Sequence, residues 1–595
     1  MQKFDDNKNV KIYKDKKLMS KLYKYFKPHL PIFILSVFLT FVVVVADLFP
    51  ATLLGKTIGV LTDKSGTNDQ MMNRILIYLA LYLGISIISA VVNYLNSMIL
   101  QKSGQKIMVE LRHDVFVHIE SLSIAQINRT PVGKLVTRVT SDTNAINELF
   151  TSVIVNLIRY VLTILSVTIV MLTISPILTL YLFTVVPVIL VVSILFRKIS
   201  RKQYRNVRGS ISNMNAFLSE NISGMKITQI FNQEDKKLQE FKNKNKELRK
   251  NQIKQILIFG IFRPFIFVLY VVGQIIVLYN GYLLILAGEI IIDSYVAFYQ
   301  YISSFFNPIQ QLAEQFNRMQ SAFASAERVF EILDTEIEIL DCEDAIEIDH
   351  FNGKIEFDHV WFAYNDENWI LKDVSFTVEP NETVAFVGAT GAGKTTILSL
   401  IVRNYEVQKG EIRIDGININ KIKIDCLRKC IGQMLQDVFL FSGTIKSNIT
   451  LKEEFSNEEV IEACKYVNAD KFINKLDDGL NHMVLERGAN YSLGQRQLLS
   501  FARTVIHKPN IMILDEATAN IDTETEVLIQ DTLEKMMNIG TMLIVAHRLS
   551  TVQHADKIIV MHKGEIVEQG NHQKLLSMKG LYYSLYELQY KNGVN

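Results

Sequence analysis

The sequence predicts a multi-domain chain, with an all-α domain of six membrane-crossing helices followed by an α/β domain built around a glycine-rich loop. Three observations carry that reading. The first half holds a series of uncharged apolar runs, each near the roughly 20 residues of helix that cross a bilayer core. A short apolar run, 384–387, then breaks at Gly388 into a glycine-rich loop and resumes as an apolar helix from Thr395. Further on, a second run, 511–514, ends in two adjacent carboxylates, Asp515 and Glu516.

At 595 residues the chain is too long for one hydrophobic core. A hydrophobic share of 49% and a mean hydropathy of +0.17 lean towards a membrane protein. The net charge of +2 decides nothing, because it averages regions of opposite character. Cys342, Cys426, Cys430 and Cys464 all fall in the second half, as in a reduced cytosolic setting, and they lack a second Cys/His pair at zinc spacing. Lysines crowd residues 3–27 ahead of an apolar run that continues through Val45. A cleaved leader has a shorter apolar core, so this run is read as an uncleaved first span.

The uncharged runs place spans at about 28–53, 75–101, 149–174, 176–196, 256–285 and 294–316, within a transmembrane domain of residues 1–325. The run 160–196 is too long for one crossing at about 1.5 Å per residue, and Ser175-Pro176 divides it. The connections 102–148 and 197–255 are long and polar. Arg and Lys concentrate in the N-terminus and in 197–255, which puts both termini and both long connections in the cytoplasm. Arg159 and Arg263 are the two full charges inside apolar runs. The expectation is that each lies near the inner interface and snorkels; the alternative is that it faces a cavity or a partner. The pattern turns amphipathic over 310–333 and acidic and apolar-poor over 334–352, so 326–352 reads as a linker and residues 353–595 as the α/β domain.

Gly388, Gly393, Lys394 and Thr395 fit the P-loop spacing of Gly, four residues, Gly-Lys-Thr. Glycines, Gly391 among them, let backbone N–H groups wrap phosphate oxygens, and the following helix adds its positive end through Thr395 and Thr396. Lys394 is expected to reach the β- and γ-phosphates and the Thr395 hydroxyl to ligate Mg²⁺. Asp515, at a strand tip, suits Mg²⁺ as well, and Glu516 is placed to polarise an attacking water. The second domain is therefore read as an α/β P-loop NTPase nucleotide-binding domain with ATP and Mg²⁺ as cofactors.

With Tyr491-Ser-Leu-Gly-Gln495 standing between the P-loop and Asp515, the chain resembles an ATP-binding-cassette (ABC) exporter half-transporter over nearly its whole length. That loop is similar to the family's signature, usually Leu-Ser-Gly-Gly-Gln. The resemblance implies that Ser492, Gly494 and Gln495 contact the γ-phosphate held on a partner's P-loop. It further implies that Tyr364 stacks on adenine, that Gln436 touches Mg²⁺ and faces the membrane domain, and that Glu486 meets the partner's coupling helices. By the same resemblance Asp522 crosses the dimer interface and His547 senses the γ-phosphate. In the membrane half, 131–138 with Asp142 and 220–231 resemble coupling regions, and 326–330 resembles the run leaving the sixth span.

One cassette per chain implies a second half-transporter as partner. Leu493 stands where glycine is usual and Tyr491 where leucine is. If that backbone needs positive φ, leucine costs about 1–2 kcal/mol. This favours a heterodimer over a homodimer, with this chain supplying an intact Glu516. The implied function is ATP-driven export of amphipathic or hydrophobic compounds, multidrug-type, across a bacterial-type inner (plasma) membrane, in contact with membrane lipid and a small-molecule or lipid substrate. The alternatives are a lipid flippase and, in another class, an ATP-gated channel. Six apolar spans exclude a soluble DNA-maintenance ATPase, so no nucleic-acid partner is expected.

Overall fold

The computed structural model describes residues 15–62, 67–365, 368–515, 523–537, 539–545 and 552–592. The chain forms two compact units: Met1–Ile119 with Gly133–Thr335, and Glu120–Val132 with Glu336–Asn595.

The first unit is helical. Its first apolar segment runs as Leu30–Ala46 and Phe49–Thr62, interrupted at Asp47-Leu48, with Pro50 in the first turn of the second piece. The second segment is one helix, Asn68–Ser121, which at about 1.5 Å per residue is far longer than a bilayer core is thick. The third segment bends through two π-helical turns, Arg138–Asp142 and Leu149–Val153, before Ile154–Ile174. Ser175 then leaves the helix, caps Pro176–Phe183 by accepting from the Leu178 N–H, and puts proline at the first helical position. Helices Val186–Ser223 and Glu234–Leu286 supply the fourth and fifth segments.

Among the described residues five segments are long and apolar enough to cross a membrane. The expected sixth, 294–316, falls within a helix, Ile292–Leu333, that is not one of the five. Asn307, Gln310, Gln311 and Gln315 dilute its hydropathy. Its apolar face points inward instead: Phe298, Tyr301, Ile302, Phe305 and Phe306 pack with Val167, Met171, Leu178 and Leu182 in a buried cluster. The same helix continues to Leu333, into the stretch expected as linker from residue 326. On the outer faces, Ile77, Leu83, Ile87, Leu165, Leu180 and Phe267 are exposed, the pattern of helices surrounded by lipid rather than water.

Two aspartates of this unit, Asp142 and Asp47, pair with arginines. Buried Asp142 accepts from Arg138 Nη1 at 2.9 Å and from Arg328 Nε at 3.1 Å, with a further contact from Arg328 Nη2, joining residues that the sequence offered separately. Arg159 pairs with Asp47, Nη2 to Oδ2 3.4 Å, so it has an acidic partner on the first segment. The side chain of Arg263 lies outside the described set.

The second unit is α/β. A four-stranded sheet has the order β2-β1-β4-β5, with β1 Ile355–Ala363, β2 Trp369–Val378, β4 Lys409–Ile414 and β5 Ile417–Asn418. A six-stranded sheet has the order β12-β11-β3-β10-β9-β6, with β3 Thr383–Gly388, β6 Ile431–Met434, β9 Ile511–Asp515, β10 Thr541–Val545, β11 Lys557–His562 and β12 Glu565–Gly570. Five of these strands, β11-β3-β10-β9-β6, are parallel and only β12 runs antiparallel. Their centres are continuous apolar runs because both faces are covered: all but the last residues of β3 and β9, and all of β10, are buried. A short pair, β7 Gly443–Thr444 with β8 Met483–Val484, lies beside a helical cluster centred on Leu498, Leu499 and Phe501.

Segment 120–132 belongs to this unit through its own contacts. Ser123 and Gln126 form a reciprocal cap on helix Ile124–Arg129, Gln126 Nε2 donates to Glu336 O at 2.7 Å, and Arg129 pairs with Glu338 at 2.6 Å. Asn128 reaches the Tyr405 hydroxyl at 3.4 Å.

Candidate functional site

Parallel strands set their carboxyl ends at one edge, which is where open α/β sheets bind ligands. Register puts Phe386 of β3, Val545 of β10 and Asp515 of β9 at one level, so the glycine-rich loop and Asp515 emerge side by side although 120 residues separate them. There Thr395 Oγ1 donates to Asp515 Oδ1 at 3.1 Å. β6 pairs Met434 with Leu514, so Gln436 lies just past the level of Asp515, exposed at the same edge.

The loop itself is held open by glycine. Gly393 sits at φ 101° directly ahead of helix Lys394–Ile401, and a Cβ there would come 2.7 Å from Leu371 Cδ2 and 3.2 Å from the Ile370 carbonyl. Gly391 takes φ 82° with nothing within 4 Å of where a Cβ would stand, leaving the concave side of the loop clear. Lys394 is buried, and its ammonium donates to Gly388 O at 2.8 Å and Ala389 O at 3.2 Å. A cation thus stands inside a glycine-rich loop that opens into a helix N-terminus, an arrangement suited to polyanions.

Tyr364 closes one flank. Its hydroxyl lies 3.1 Å from Thr396 Oγ1, and its ring meets Phe362 and Tyr405 edge-on, at 4.9 and 5.0 Å between centroids. Partial burial pushes the phenol pKa above its ordinary value, so the hydroxyl stays protonated. Tyr405, absent from the sequence-based candidates, completes this aromatic corner. A lone tyrosine outside any motif carries no signal that could have singled it out.

The signature-like loop folds as a helix cap. Ser492 Oγ accepts from the Gln495 N–H at 3.2 Å, and Gln495 Oε1 accepts from the Ser492 N–H at 3.0 Å, opening helix Leu493–Ile506. Gly494 is buried in its first turn. Among the described residues none of the three hydrogen-bonds to the P-loop. Leu493 is the first helical residue, and its φ is not positive. The strain anticipated for leucine at this position is therefore absent, because a helix start accepts any L-residue. Tyr491 is a core residue, packed edge-on against Phe472 and His482. Leu493→Gly is expected to bring no gain in stability and a loss of up to about 1 kcal/mol, since glycine is the poorer helix former; a melting curve of the purified variant checks this.

Arg503, on the same helix, also escaped sequence reasoning. It donates to Asn448 O at 2.8 Å and to Phe439 O at 3.2 Å, fixing the loop after Gln436 against the signature helix, and burial pushes its guanidinium pKa down. Glu486 opens a single turn, Glu486–Gly488, exposed just before the cap. Glu516, Asp522 and His547 lie outside the described residues; Glu516 follows Asp515 directly in sequence.

Comparison with known proteins agrees with this arrangement. The profile described as "ABC transporter transmembrane region" matches residues 33–309, and that described as "ABC transporter" matches residues 371–519. The chain is 39% identical over 514 residues to the ABC transporter ATP-binding protein exp8 of Streptococcus pneumoniae, covering 86% of this chain and 88% of that one. It is 36% identical over 508 residues to a fatty acid ABC transporter ATP-binding/permease protein of Mycobacterium bovis, covering 85% and 80%. It is 33% identical over 500 residues to an ATP-dependent lipid A-core flippase of Syntrophus aciditrophicus, covering 84% and 83%. With a helical membrane domain and an ATP-binding domain in one polypeptide, the chain belongs to the ABC transporter family as an exporter-type half-transporter, a membrane protein whose ATPase activity is coupled to transport.

Proposed function

We propose that this chain is one half of a dimeric exporter of amphipathic, largely apolar compounds, with six spans in a bacterial-type inner membrane and with both termini and the ATPase domain in the cytoplasm. The observation that carries the ATP-driven part is the Thr395–Asp515 contact, which brings the P-loop hydroxyl and the strand-tip carboxylate to one point. Two oxygen ligands at that spacing, with Gln436 at the same edge, suit a hard cation, so Thr395, Asp515 and Gln436 would hold Mg²⁺. The ion, when bound, supplies neutralisation of phosphate charge. Lys394 and the loop N–H groups bind the β- and γ-phosphates, Tyr364 stacks on the adenine, and Glu516 takes a proton from the attacking water. His547 and Asp522 are assigned to the same site from their positions in the sequence alone.

Ser492 and Gln495 hydrogen-bond to each other within one cap, with Gly494 in its first turn, and the exposed Ser492 end of the helix is left for phosphate on a second subunit. Closure of two such sites turns the membrane halves from inward- to outward-facing. With strain at Leu493 removed, the case for an unlike partner rests on the bulk of leucine where a glycine would let phosphate approach. Compounds with apolar chains are favoured as cargo by the exposed apolar faces of the first unit, and a lipid-moving role by relatives named for fatty acid and lipid A-core.

The test is ATP-dependent accumulation of a fluorescent amphiphile in inverted vesicles containing the protein. Uphill accumulation supports a pump; passive ion current without accumulation would replace this reading with a channel. In the same preparation Tyr364→Ala is expected to raise the ATP concentration for half-maximal turnover by about 5- to 150-fold, the equivalent of a stacking loss of roughly 1–3 kcal/mol.

A further inference from the structure

The first unit holds a pocket of about 210 Å³ between its first three apolar segments, half of its wall polar and half apolar, and nothing in the nucleotide chemistry accounts for it. Asp47, Ser86, Ser89, Asn93 and Arg159 line it. Asp47 sits where the first segment breaks between helices Leu30–Ala46 and Phe49–Thr62. Its Oδ1 accepts from Ser89 Oγ at 2.7 Å, and its Oδ2 lies 3.4 Å from Arg159 Nη2.

All three elements contribute from within their apolar stretches. Ser89 lies near the middle of the uncharged run 75–101, and Arg159 is the lone charge in 149–174, roughly 15 Å of helix from its nearer end. Asp47 has uncharged residues on both sides, 31–46 and 48–55. Ionisable groups at such positions mark substrate or ion pathways more often than they hold a fold together.

The geometry argues against a purely structural ion pair. A pair that stitches helices is short, bidentate and shielded. Here a single contact sits at the long limit for a hydrogen bond, and the side chains of Arg159 and Asp47 are 35% and 49% exposed. A second observation points the same way. Along the same two segments Asn96 Nδ2 donates to Thr40 Oγ1 at 3.1 Å, while Asn96 Oδ1 and Ser36 Oγ are buried without a hydrogen-bond partner among the described residues. Ser36, Thr40 and Asp47 fall on one helical face, as do Ser86, Ser89, Asn93 and Asn96. The seam between the segments therefore carries unmet hydrogen-bonding capacity along one line with the pocket.

The pocket's charge then selects its occupant. An anion drawn to Arg159 is repelled by Asp47, and a cation drawn to Asp47 is repelled by Arg159. A group bearing both charges satisfies both side chains, and Ser86, Ser89 and Asn93 supply neutral partners. We propose that the Asp47–Arg159 pocket receives the zwitterionic headgroup of an amphiphilic substrate, the ammonium at Asp47 and the anionic oxygens at Arg159. This rests on the export reading above and gives it a headgroup class.

The experiment uses the full chain, with its partner subunit if one is required, reconstituted in vesicles. ATPase stimulation is measured with single-chain probes of one tail length: a lyso-phosphoethanolamine, a lyso-phosphatidic acid and an alkylamine, with free phosphoethanolamine as the tail-less arm. Wild type is expected to respond to the zwitterion at a concentration about tenfold below the other two, and free phosphoethanolamine to compete with it only at much higher concentration. Asp47→Asn should move the preference towards the anionic probe and Arg159→Gln towards the cationic one. Equal response to all three headgroups in wild type, or one unchanged order in both variants, overturns the pocket assignment and leaves export standing. No stimulation by any amphiphile, with ATP turnover intact, overturns both. The wild-type series decides the matter even if a variant fails to reach the membrane.

Discussion

Lys394→Ala is expected to lower ATP turnover by about 100- to 1,000-fold, the cost of removing one preorganised charge donor from a phosphate site. The ammonium already stands inside the loop, donating to the carbonyls of Gly388 and Ala389, and needs little rearrangement to meet phosphate. Its loss leaves the backbone cradle in place, because Gly391 and Gly393 hold the loop by their own φ values of 82° and 101°. The variant should therefore fold. The distinguishing measurement is thermal: ATP with Mg²⁺ raises the melting temperature of wild type by mass action, and this rise should shrink or vanish in the variant. An unchanged nucleotide-dependent rise would remove Lys394 from the phosphate site.

Glu516→Gln should separate binding from turnover. Amide for carboxylate keeps the shape and removes the base, so hydrolysis falls by about 100- to 10,000-fold while nucleotide remains bound. The expected species is a nucleotide-loaded dimer that persists through gel filtration and retains labelled ATP. The proposal follows from Asp515, whose Oδ1 accepts from Thr395 at the end of β9, and from Glu516 being the next residue in the sequence. Wild-type hydrolysis in the variant would show that another group activates the water. The two variants thus fail differently, one by losing nucleotide and the other by keeping it.

Much of this site was legible because its signals are local. A strand, a glycine turn and a helix occupy consecutive residues from Thr383 to Ile401, and the backbone constraints that make the loop are written in the positions of Gly388, Gly391 and Gly393. The break at Ser175-Pro176 was equally readable, since a proline at the first turn and a serine cap need only their immediate neighbours. Leu493 shows where local reading misled. Its departure from a familiar loop suggested a strained backbone, whereas the Ser492–Gln495 cap makes it an ordinary first helical residue. Nor does composition tell which face of 294–316 turns inward, where Phe298, Tyr301 and Phe305 pack with Met171 and Leu182.

The sequence by itself determined the two-part character of the chain and the strand-loop-helix that cradles phosphate, because each depends on interactions within a few residues. Only the tertiary structure decided which distant groups meet: Thr395 with Asp515, Asp142 with Arg328, Tyr364 with Tyr405, Asp47 with Arg159. Those meetings depend on strand order and on which helix faces turn towards one another. Hydrophobic burial decides these over the whole domain, and no short pattern of residues encodes them.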